Sequence, residues 1–231
     1  MHVALIGPGR LGRSLAVLLP AAGIPATLVR RGEPLPEADV YWLVVRDAAL
    51  PEVAARVPHD RIVLHAAGAL GPEVLHHPLG GVLHPLMTFP GPELGLPNLA
   101  GVGARVDGAE PARAVARVLA GALGMVCVED VDPVAWHAAA SMVSGHIAAL
   151  FLDAVAVLDR GRSSVDPPAA ELLLPLALES LVRAAAHGGA AITGPAARGD
   201  VATVALHLGR LQGESEVYRA LDKRIRERCG R

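Results

Sequence analysis

A glycine-rich segment close to the start of the chain has the spacing G-x-G-x-x-G, in the residues Gly7-Pro8-Gly9-Arg10-Leu11-Gly12. It follows a short apolar run and precedes a helical pattern. In that context the first glycine permits a tight turn, the second lets the backbone approach a pyrophosphate, and the third lets helix and strand pack closely. The free N–H groups of the helix would face the phosphates. We predict that all six residues bind a dinucleotide; the alternatives are S-adenosylmethionine binding and a purely structural turn.

Two arginines, Arg30 and Arg31, follow the second predicted strand, where the choice between NAD and NADP is usually made. Sites that select NAD place Asp or Glu there, roughly 20 residues beyond the glycines, but the first acid here is Glu33. Planar guanidinium groups can bind a 2′-phosphate through paired hydrogen bonds. The pattern predicts NADP(H), with NAD less favoured; the alternative is that both are ordinary surface arginines. Val45 and Arg46, at the end of the third predicted strand, are further predicted cofactor contacts.

His137, Ser141 and Ser144 have the spacing i, i+4 and i+7, which places them on one face of a predicted helix. Reduction of a carbonyl or an imine needs a hydride from nicotinamide and a proton donor near the substrate heteroatom. An imidazole beside a hydroxyl group can hold such a bond. We therefore predict that His137 and Ser144 are catalytic and that Ser141 binds substrate; the alternative for His137 is a polar spot between two domains.

His84 precedes a proline at the end of a short predicted strand, and ligands of open α/β sheets bind at such strand ends. We predict that His84 contacts the nicotinamide or the substrate and takes part in catalysis; the alternative is a hydrogen-bonded turn that shapes the crevice. His65 follows another strand in a similar way and is a weaker candidate. His76, His77 and His84 lack the spacing of metal ligands, so we predict no metal site.

A turn that leads into a predicted helix contains Thr193, Arg198 and Asp200. Asp200 is a natural N-cap. Because Arg198 lies just before the same helix N-terminus, its guanidinium and the helix dipole would act together on a carboxylate. We predict that these three residues bind the substrate, with Arg198 holding its carboxylate. The alternative is that the segment only joins two helices and Arg198 pairs with an acid.

Two kinds of segment have to position these groups. Up to residue 129, short apolar runs alternate with helical patterns, which predicts an α/β Rossmann domain with a doubly wound, mainly parallel sheet. From residue 130 the pattern predicts long helices and little strand. We therefore predict a dinucleotide-binding domain over residues 1–129 and an all-α domain for substrate binding and dimerisation over residues 130–231.

The composition limits the class of protein. With 52% hydrophobic and 19% charged residues, the chain is not of the disordered type. A formal net charge of -2 without a concentrated basic face indicates neither a nucleic-acid nor a membrane partner. Cys127 and Cys229 lack the spacing of a metal or redox motif, and the apolar run 142–158 contains His146 and Asp153, as a core helix does. These observations predict a cytoplasmic protein that acts on a small molecule.

Several segments together resemble a family of bacterial proteins in which a Rossmann-like domain precedes a helical domain of the DUF2520 type. The matching segments are Gly7–Gly12, Asp39–Asp47, His65–Gly68, His84–Phe89, Trp136–Ala140 and Ile192–Asp200, with Thr203 and His207. The general plan of that family is similar to pyrroline-5-carboxylate reductases, F420-dependent NADP oxidoreductases and ketopantoate reductases. The resemblance implies an oxidoreductase and, by analogy, a homodimer formed through the helical domain.

The chain departs from the expected family pattern at two points. It has Ser144-Gly145 where the family pattern has Ser-Asn, and its segment His65–Gly68 has no hydroxyl residue before the glycine. A further difference separates it from hydroxyacid dehydrogenases and standard ketopantoate reductases, which use a helical lysine as proton donor. The only lysine here is Lys223, almost at the C-terminus. Any proton donor must therefore be a His, Ser, Tyr, an acid or water.

These observations predict an NADPH-dependent reductase of a small carboxylate-bearing keto acid or imine, with ketopantoate-reductase-like chemistry as one form. The substrate is expected between the strand ends and the helical domain, with its carboxylate toward Arg198 and its reducible bond near His137 and Ser144. Two alternatives remain at this point. One is a non-catalytic NADP(H)-binding module or redox sensor, and the other is an F420-dependent NADP oxidoreductase.

Overall fold

The computed structural model describes residues 1–230, and the chain divides into two compact units, Met1–Ser144 and Gly145–Arg231. The division lies within a helical stretch that continues from Pro133 to Arg160. The sequence pattern predicts the domain boundary earlier, between residues 129 and 130. The first unit therefore includes the beginning of that helical stretch as well as the whole sheet.

The first unit is built on a seven-stranded sheet in the order β2-β1-β3-β4-β5-β6-β7. Strands β1 to β5 are parallel, β6 runs antiparallel to β5, and β7 is parallel to β6. This confirms the predicted mainly parallel Rossmann sheet. The strands are β1 Val3–Ile6, β2 Ala26–Val29, β3 Val40–Leu43, β4 Ile62–His65, β5 Gly80–Pro85, β6 Gly103–Gly108 and β7 Val126–Val128.

Each face of the sheet buries a separate apolar cluster, because successive side chains of a strand point to opposite faces. One face packs against helices α1 (Arg10–Ala21) and α3 (Glu110–Ala122), and the other against the short helix α2 (Leu50–Ala54) and neighbouring loops. Helices on both faces bury the strands completely, which explains why β1 and β3 are continuous apolar runs. The result is the doubly wound arrangement that the alternating pattern predicts.

The connections of β1 place a crevice at one edge of the sheet. Strand β1 lies between β2 and β3, so the chain passes to one side after β1 and to the other side after β2. Ligands of open α/β sheets bind at such a switch point, outside the carboxyl ends of the strands. Register puts Ile6, Leu43, His65 and Val82 at one level. The residues that follow them on each strand therefore lie along this carboxyl edge.

The remaining elements are helical. Helix α4 (Pro133–Ser141) continues through a single π-helical turn, Met142–His146, into α5 (Ile147–Arg160). The helices that follow are α6 Ala169–His187, α7 Pro195–Arg198, α8 Val201–Leu208 and α9 Ser215–Arg228. Asp200 caps α8, since its carboxylate accepts a hydrogen bond from the backbone N–H of Thr203 at 3.0 Å. The predicted helical character of this half of the chain is confirmed.

These helices expose much apolar surface in the isolated chain. Leu152, Leu176 and Val182 are 65%, 66% and 63% exposed. The helical stretch Pro133–Arg160 has the length and the apolar composition that a membrane span needs. None of its most apolar part is buried in the structure. One such helix is weak evidence for a span, because length and composition alone do not distinguish a membrane helix from other apolar helices. An apolar helix that the rest of its own chain leaves uncovered requires some other contact.

Candidate functional site

The turn between β1 and α1 is held by close backbone contacts. Gly7 has a φ of +129°, and a Cβ on it would lie 2.7 Å from the carbonyl oxygen of Val44. A Cβ on Gly12 would overlap the carbonyl oxygen of Gly7. A side chain at Gly7 would therefore push the turn away from the end of β3, and one at Gly12 would push α1 away from the end of β1. These two glycines have the structural roles that the motif predicts.

Gly9 differs from the other two glycines of the turn. A Cβ on it would meet no atom within 4 Å, so open space lies beside it. Gly9 is also the N-cap of α1, and no side chain caps this helix or supplies an acid in its first turn. The N–H groups of that turn and the positive end of the helix dipole therefore remain available to an anion. Both features fit the pyrophosphate of a dinucleotide.

Three arginines follow the neighbouring strands at the same edge. Arg30 and Arg31 come directly after β2, and Arg46 follows β3. Their guanidinium groups make no hydrogen bond or ion pair with any residue in the part of the chain that the structure describes. By contrast, Arg13 on α1 forms two hydrogen bonds of 3.0 Å with Glu93. The three cations are therefore available to a phosphate, as the predicted cofactor contacts require.

Helix α4 begins with residues that are suited to the start of a helix. The side chain of Asp132 accepts a hydrogen bond of 2.6 Å from the backbone N–H of Ala135, and Pro133 occupies the first turn. This start places Trp136 at the end of the first turn and His137 at the beginning of the second. The ring of Trp136 packs against β6, where a Cβ on Gly103 would lie 3.4 Å from the indole.

Trp136 reaches the end of β5. Its indole N–H donates a hydrogen bond of 2.9 Å to Nδ1 of His84. Burial, together with the adjacent His137 and the buried guanidinium of Arg105, lowers the pKa of His84 to about 4. His84 is therefore a neutral imidazole at neutral pH. Arg105 is opposite His84 in the antiparallel register of β5 and β6.

A cavity of about 290 Å³ brings the predicted catalytic residues together. It is lined by His84, Pro85, Leu86, Met87, Thr88, His137, Ala140, Ser141, Val143 and Ser144. The rings of His84 and His137 meet edge to face with their centroids 6.2 Å apart. A Cβ on Gly68 would lie 2.5 Å from Cδ2 of His137 and 2.8 Å from Nε2 of His84. The absence of a side chain at Gly68 thus lets the loop after β4 close on both imidazoles.

The π-helical turn contributes one of the two serines. Ser144 lies within it, and its hydroxyl group donates a hydrogen bond of 2.7 Å to the carbonyl oxygen of Ala140. While that bond is in place, the oxygen of Ser144 can only accept a hydrogen bond from a ligand. Turns of this kind are frequent at functional sites because they change the direction in which side chains leave the helix.

His65 has a structural role in the loop that contains Gly68. Its ring is fully buried, Nδ1 accepts the backbone N–H of Ala67 at 3.1 Å, and Nε2 lies 3.0 Å from the carbonyl oxygen of Gly71. Both ring nitrogens are used, and burial lowers the pKa of the ring. His65 therefore holds the loop against the end of β4.

The second unit contains three of the predicted substrate residues, Thr193, Arg198 and Asp200. Thr193 and Arg198 line a cavity of about 530 Å³ together with Arg228. Asp200 is engaged with its own helix, since it accepts hydrogen bonds from both the backbone N–H and the hydroxyl group of Thr203. A role for these residues in substrate binding stays a prediction.

Two residues of this site, Trp136 and Gly68, could not be predicted from the local sequence. Trp136 occurs only as part of a family segment, and its partner His84 is 52 residues away. Gly68 likewise ends a matched segment, and nothing in its local pattern indicates two imidazoles beside it. A tryptophan directly before a candidate catalytic histidine at a helix start is the one local signal that could have drawn attention to the pair.

Comparison with known proteins agrees with this architecture. The family model DUF2520, described as a domain of unknown function, matches residues 102–225. A comparison with curated proteins finds no match. Among solved structures, a candidate NADP oxidoreductase from Bacteroides fragilis is similar with a TM-score of 0.83 and 20% identity, covering 98% of each chain.

Two further solved structures are similar over nearly the whole chain. A protein from Thermotoga maritima has a TM-score of 0.70 and 21% identity, over 99% of this chain and 98% of that one. The imine reductase from Myxococcus stipitatus, solved in complex with NADP⁺, has a TM-score of 0.66 and 17% identity, over 98% and 93%. At these identities the likeness establishes the fold. Because the family model covers more than half of the 231 residues, the chain belongs to the DUF2520 family.

Proposed function

We propose that this protein is an NADPH-dependent reductase of a small keto acid or imine that carries a carboxylate. One observation supports the proposal above all. The glycine turn, with open space beside Gly9, and the cavity lined by His84 and His137 lie beyond the same carboxyl edge of one sheet. A dinucleotide bound at the turn would extend along this edge, as dinucleotides do across the switch point of such folds.

The residues of the cavity have the chemistry that a reduction requires. A bound nicotinamide supplies the hydride. His137 is an exposed imidazole at the cavity and can hold and release a proton at the substrate heteroatom. The oxygen of Ser144 can accept a hydrogen bond from the substrate, and Ser141 lines the same wall. We further predict that Arg198 binds the substrate carboxylate.

The choice of NADP(H) over NAD(H) rests on Arg30 and Arg31. Both guanidinium groups are exposed and lack partners within residues 1–230, directly after the strand beside the glycine turn. Paired guanidinium groups bind phosphate more strongly than they bind a hydroxyl group. The NADP⁺ in the imine reductase from Myxococcus stipitatus is consistent with this preference.

A substrate panel tests the activity directly. We expect the purified protein to oxidise NADPH, followed by the loss of its absorbance, with at least one member of a panel of 2-oxo acids and carboxylated cyclic imines. NADH should be a poorer cofactor by about tenfold or more, or about 1.4 kcal/mol. Tight NADPH binding without oxidation across the panel would instead support the non-catalytic binding module. Reduction of NADP⁺ by reduced F420 would support the other alternative, an F420-dependent NADP oxidoreductase.

We further propose that the protein is a cytoplasmic homodimer whose helical unit forms the interface. The support is the exposed apolar surface on α5 and α6, since a second copy offers an equally apolar partner. Size-exclusion chromatography with light scattering should give twice the chain mass of 23.8 kDa. Leu176→Glu should shift this mass to the monomer value. Leu94→Glu, which changes an exposed leucine of the first unit, is the matched control and should leave the mass unchanged.

A monomer mass for the wild-type protein at micromolar concentration would contradict the homodimer. Extraction of the protein only with detergent would point to a membrane as the partner of the apolar helices.

A further inference from the structure

The hydrogen bond between Trp136 and His84 determines which ring nitrogen of His84 carries the proton. An indole N–H can only donate, so Nδ1 of His84 must accept. In a neutral imidazole one nitrogen accepts and the other donates. The proton of His84 therefore resides on Nε2.

The fold holds the indole in the position that this bond needs. The capped start of α4 fixes the backbone at Trp136, and the far end of its ring rests against Gly103 on β6. The rings of Trp136 and His84 meet edge to face at 77°, with their centroids 6.4 Å apart. A substituent on Gly103 would press on the indole, so the small residue at that point of β6 is part of the arrangement.

The ring of His84 lines the cavity. Its Nε2 atom is the atom of that ring closest to Gly68, and the edge-to-face ring of His137 lies beside the same glycine. Trp136 bonds Nδ1, and no residue of the described chain forms a hydrogen bond with Nε2. A donor without a protein partner at the wall of a cavity is available to an acceptor atom of a ligand.

The surroundings of His84 oppose its protonation. Burial lowers its pKa most, and His137 on α4, Arg105 on β6 and His65 on β4 lower it further, against a smaller rise from a hydrogen bond with its own backbone. None of the described residues that line the cavity is an Asp or a Glu. No negative charge is therefore present at the cavity wall to stabilise an imidazolium ion, and the ring stays neutral over the range in which most enzymes work.

We propose that Trp136 is a positioning residue that holds His84 as the Nε2–H tautomer, so that His84 donates a hydrogen bond to the oxygen or nitrogen atom of the substrate's reducible bond. This inference rests on the proposed reductase function for its catalytic part only. A neutral imidazole in this role polarises the bond without giving up its proton. The proton that completes the product then comes from another group, such as His137 or water.

Nitrogen NMR of the full-length protein, without ligand, tests the tautomer. We expect a neutral His84 at pH 7 with its proton on Nε2, and a scalar coupling across the hydrogen bond between Nε1 of Trp136 and Nδ1 of His84. His84→Gln assigns the signals. In Trp136→Phe the coupling is lost and the pKa of His84 rises by about one unit, since a bond to the neutral form is removed. Trp42→Phe changes the other tryptophan, whose buried indole N–H has no partner within residues 1–230, and should leave the His84 signals unchanged.

The same variants show whether the tautomer matters for catalysis. With the best substrate of the panel, Trp136→Phe should lower kcat by about tenfold or more because the donor is misplaced, while the Kd for NADPH stays the same. A proton on Nδ1, an imidazolium at pH 7, or an unchanged titration in folded Trp136→Phe would overturn the inference, as would an unchanged kcat. If the panel yields no substrate, the proposed function fails while the NMR result still decides the tautomer. If Trp136→Phe does not fold, the coupling in the wild-type protein decides it.

Discussion

Replacing Arg30 and Arg31 together by alanine is expected to weaken NADPH binding by about tenfold or more and to leave NADH binding within about twofold. Both guanidinium groups lack partners in the described chain, so their removal breaks no contact within the protein. Only the 2′-phosphate of NADPH would lose its charge-assisted hydrogen bonds. Titration of the reduced-nicotinamide fluorescence at constant salt measures both affinities.

Arg210→Ala combined with Arg219→Ala is the matched control for this experiment. Both arginines are exposed on the second unit and have no side-chain partner within residues 1–230, so this variant loses the same net charge. It should bind both cofactors like the wild-type protein. If both double variants bind NADPH equally weakly, Arg30 and Arg31 act only through the net charge of the protein and do not contact the 2′-phosphate. Equal affinity of the wild-type protein for NADPH and NADH would contradict the cofactor preference itself.

His137→Ala is expected to lower turnover by at least about tenfold without changing the affinity for NADPH. Proton transfer by a positioned side chain contributes on the order of 10² to 10⁴ in rate, and water can replace part of that contribution. His137 is exposed at the cavity, so its removal leaves no buried polar group without a partner. The values of kcat and Kd, measured with the best substrate of the panel, separate the two effects.

His59→Ala serves as the control for the loss of a histidine. His59 is exposed, and its ring contact in the structure is with His77, a residue that does not line the cavity. Its turnover should equal that of the wild-type protein. Unchanged turnover in His137→Ala would remove this residue from the mechanism and leave water or a hydroxyl group as the proton donor.

The sheet could be predicted from the sequence largely because its strands are apolar runs separated by helical patterns. The direction of β6 could not be predicted in this way. Its six residues, GARVDG, mix small, apolar and charged side chains and have no pattern that distinguishes a parallel from an antiparallel neighbour. The deciding feature is the connection from Pro85 to Gly103, which contains only the short 3₁₀ turn Pro92–Leu94 and no crossover helix.

Some features of the candidate site depend on residues that are neighbours in sequence, and others depend on contacts between distant residues. The glycine turn is local, and its geometry follows from six consecutive residues. His137, Ser141 and Ser144 lie within eight residues of one continuous helical stretch, so they line one cavity without any distant contact. The bond from Trp136 to His84 joins a helix start to a strand end, and the contact of Gly68 with two rings depends on how the β4 loop folds. Neither has a periodic pattern that sequence reading can detect.

The uncovered apolar helices have a consequence for how the protein behaves on dilution. If a second copy covers α5 and α6, folding and association of the helical unit form one linked equilibrium that follows mass action. The midpoint of thermal unfolding should then rise with protein concentration. The specific activity of the proposed reductase should fall when the protein is diluted below the dissociation constant of the dimer. An assay at nanomolar enzyme would therefore underestimate an activity that the same preparation shows at micromolar concentration.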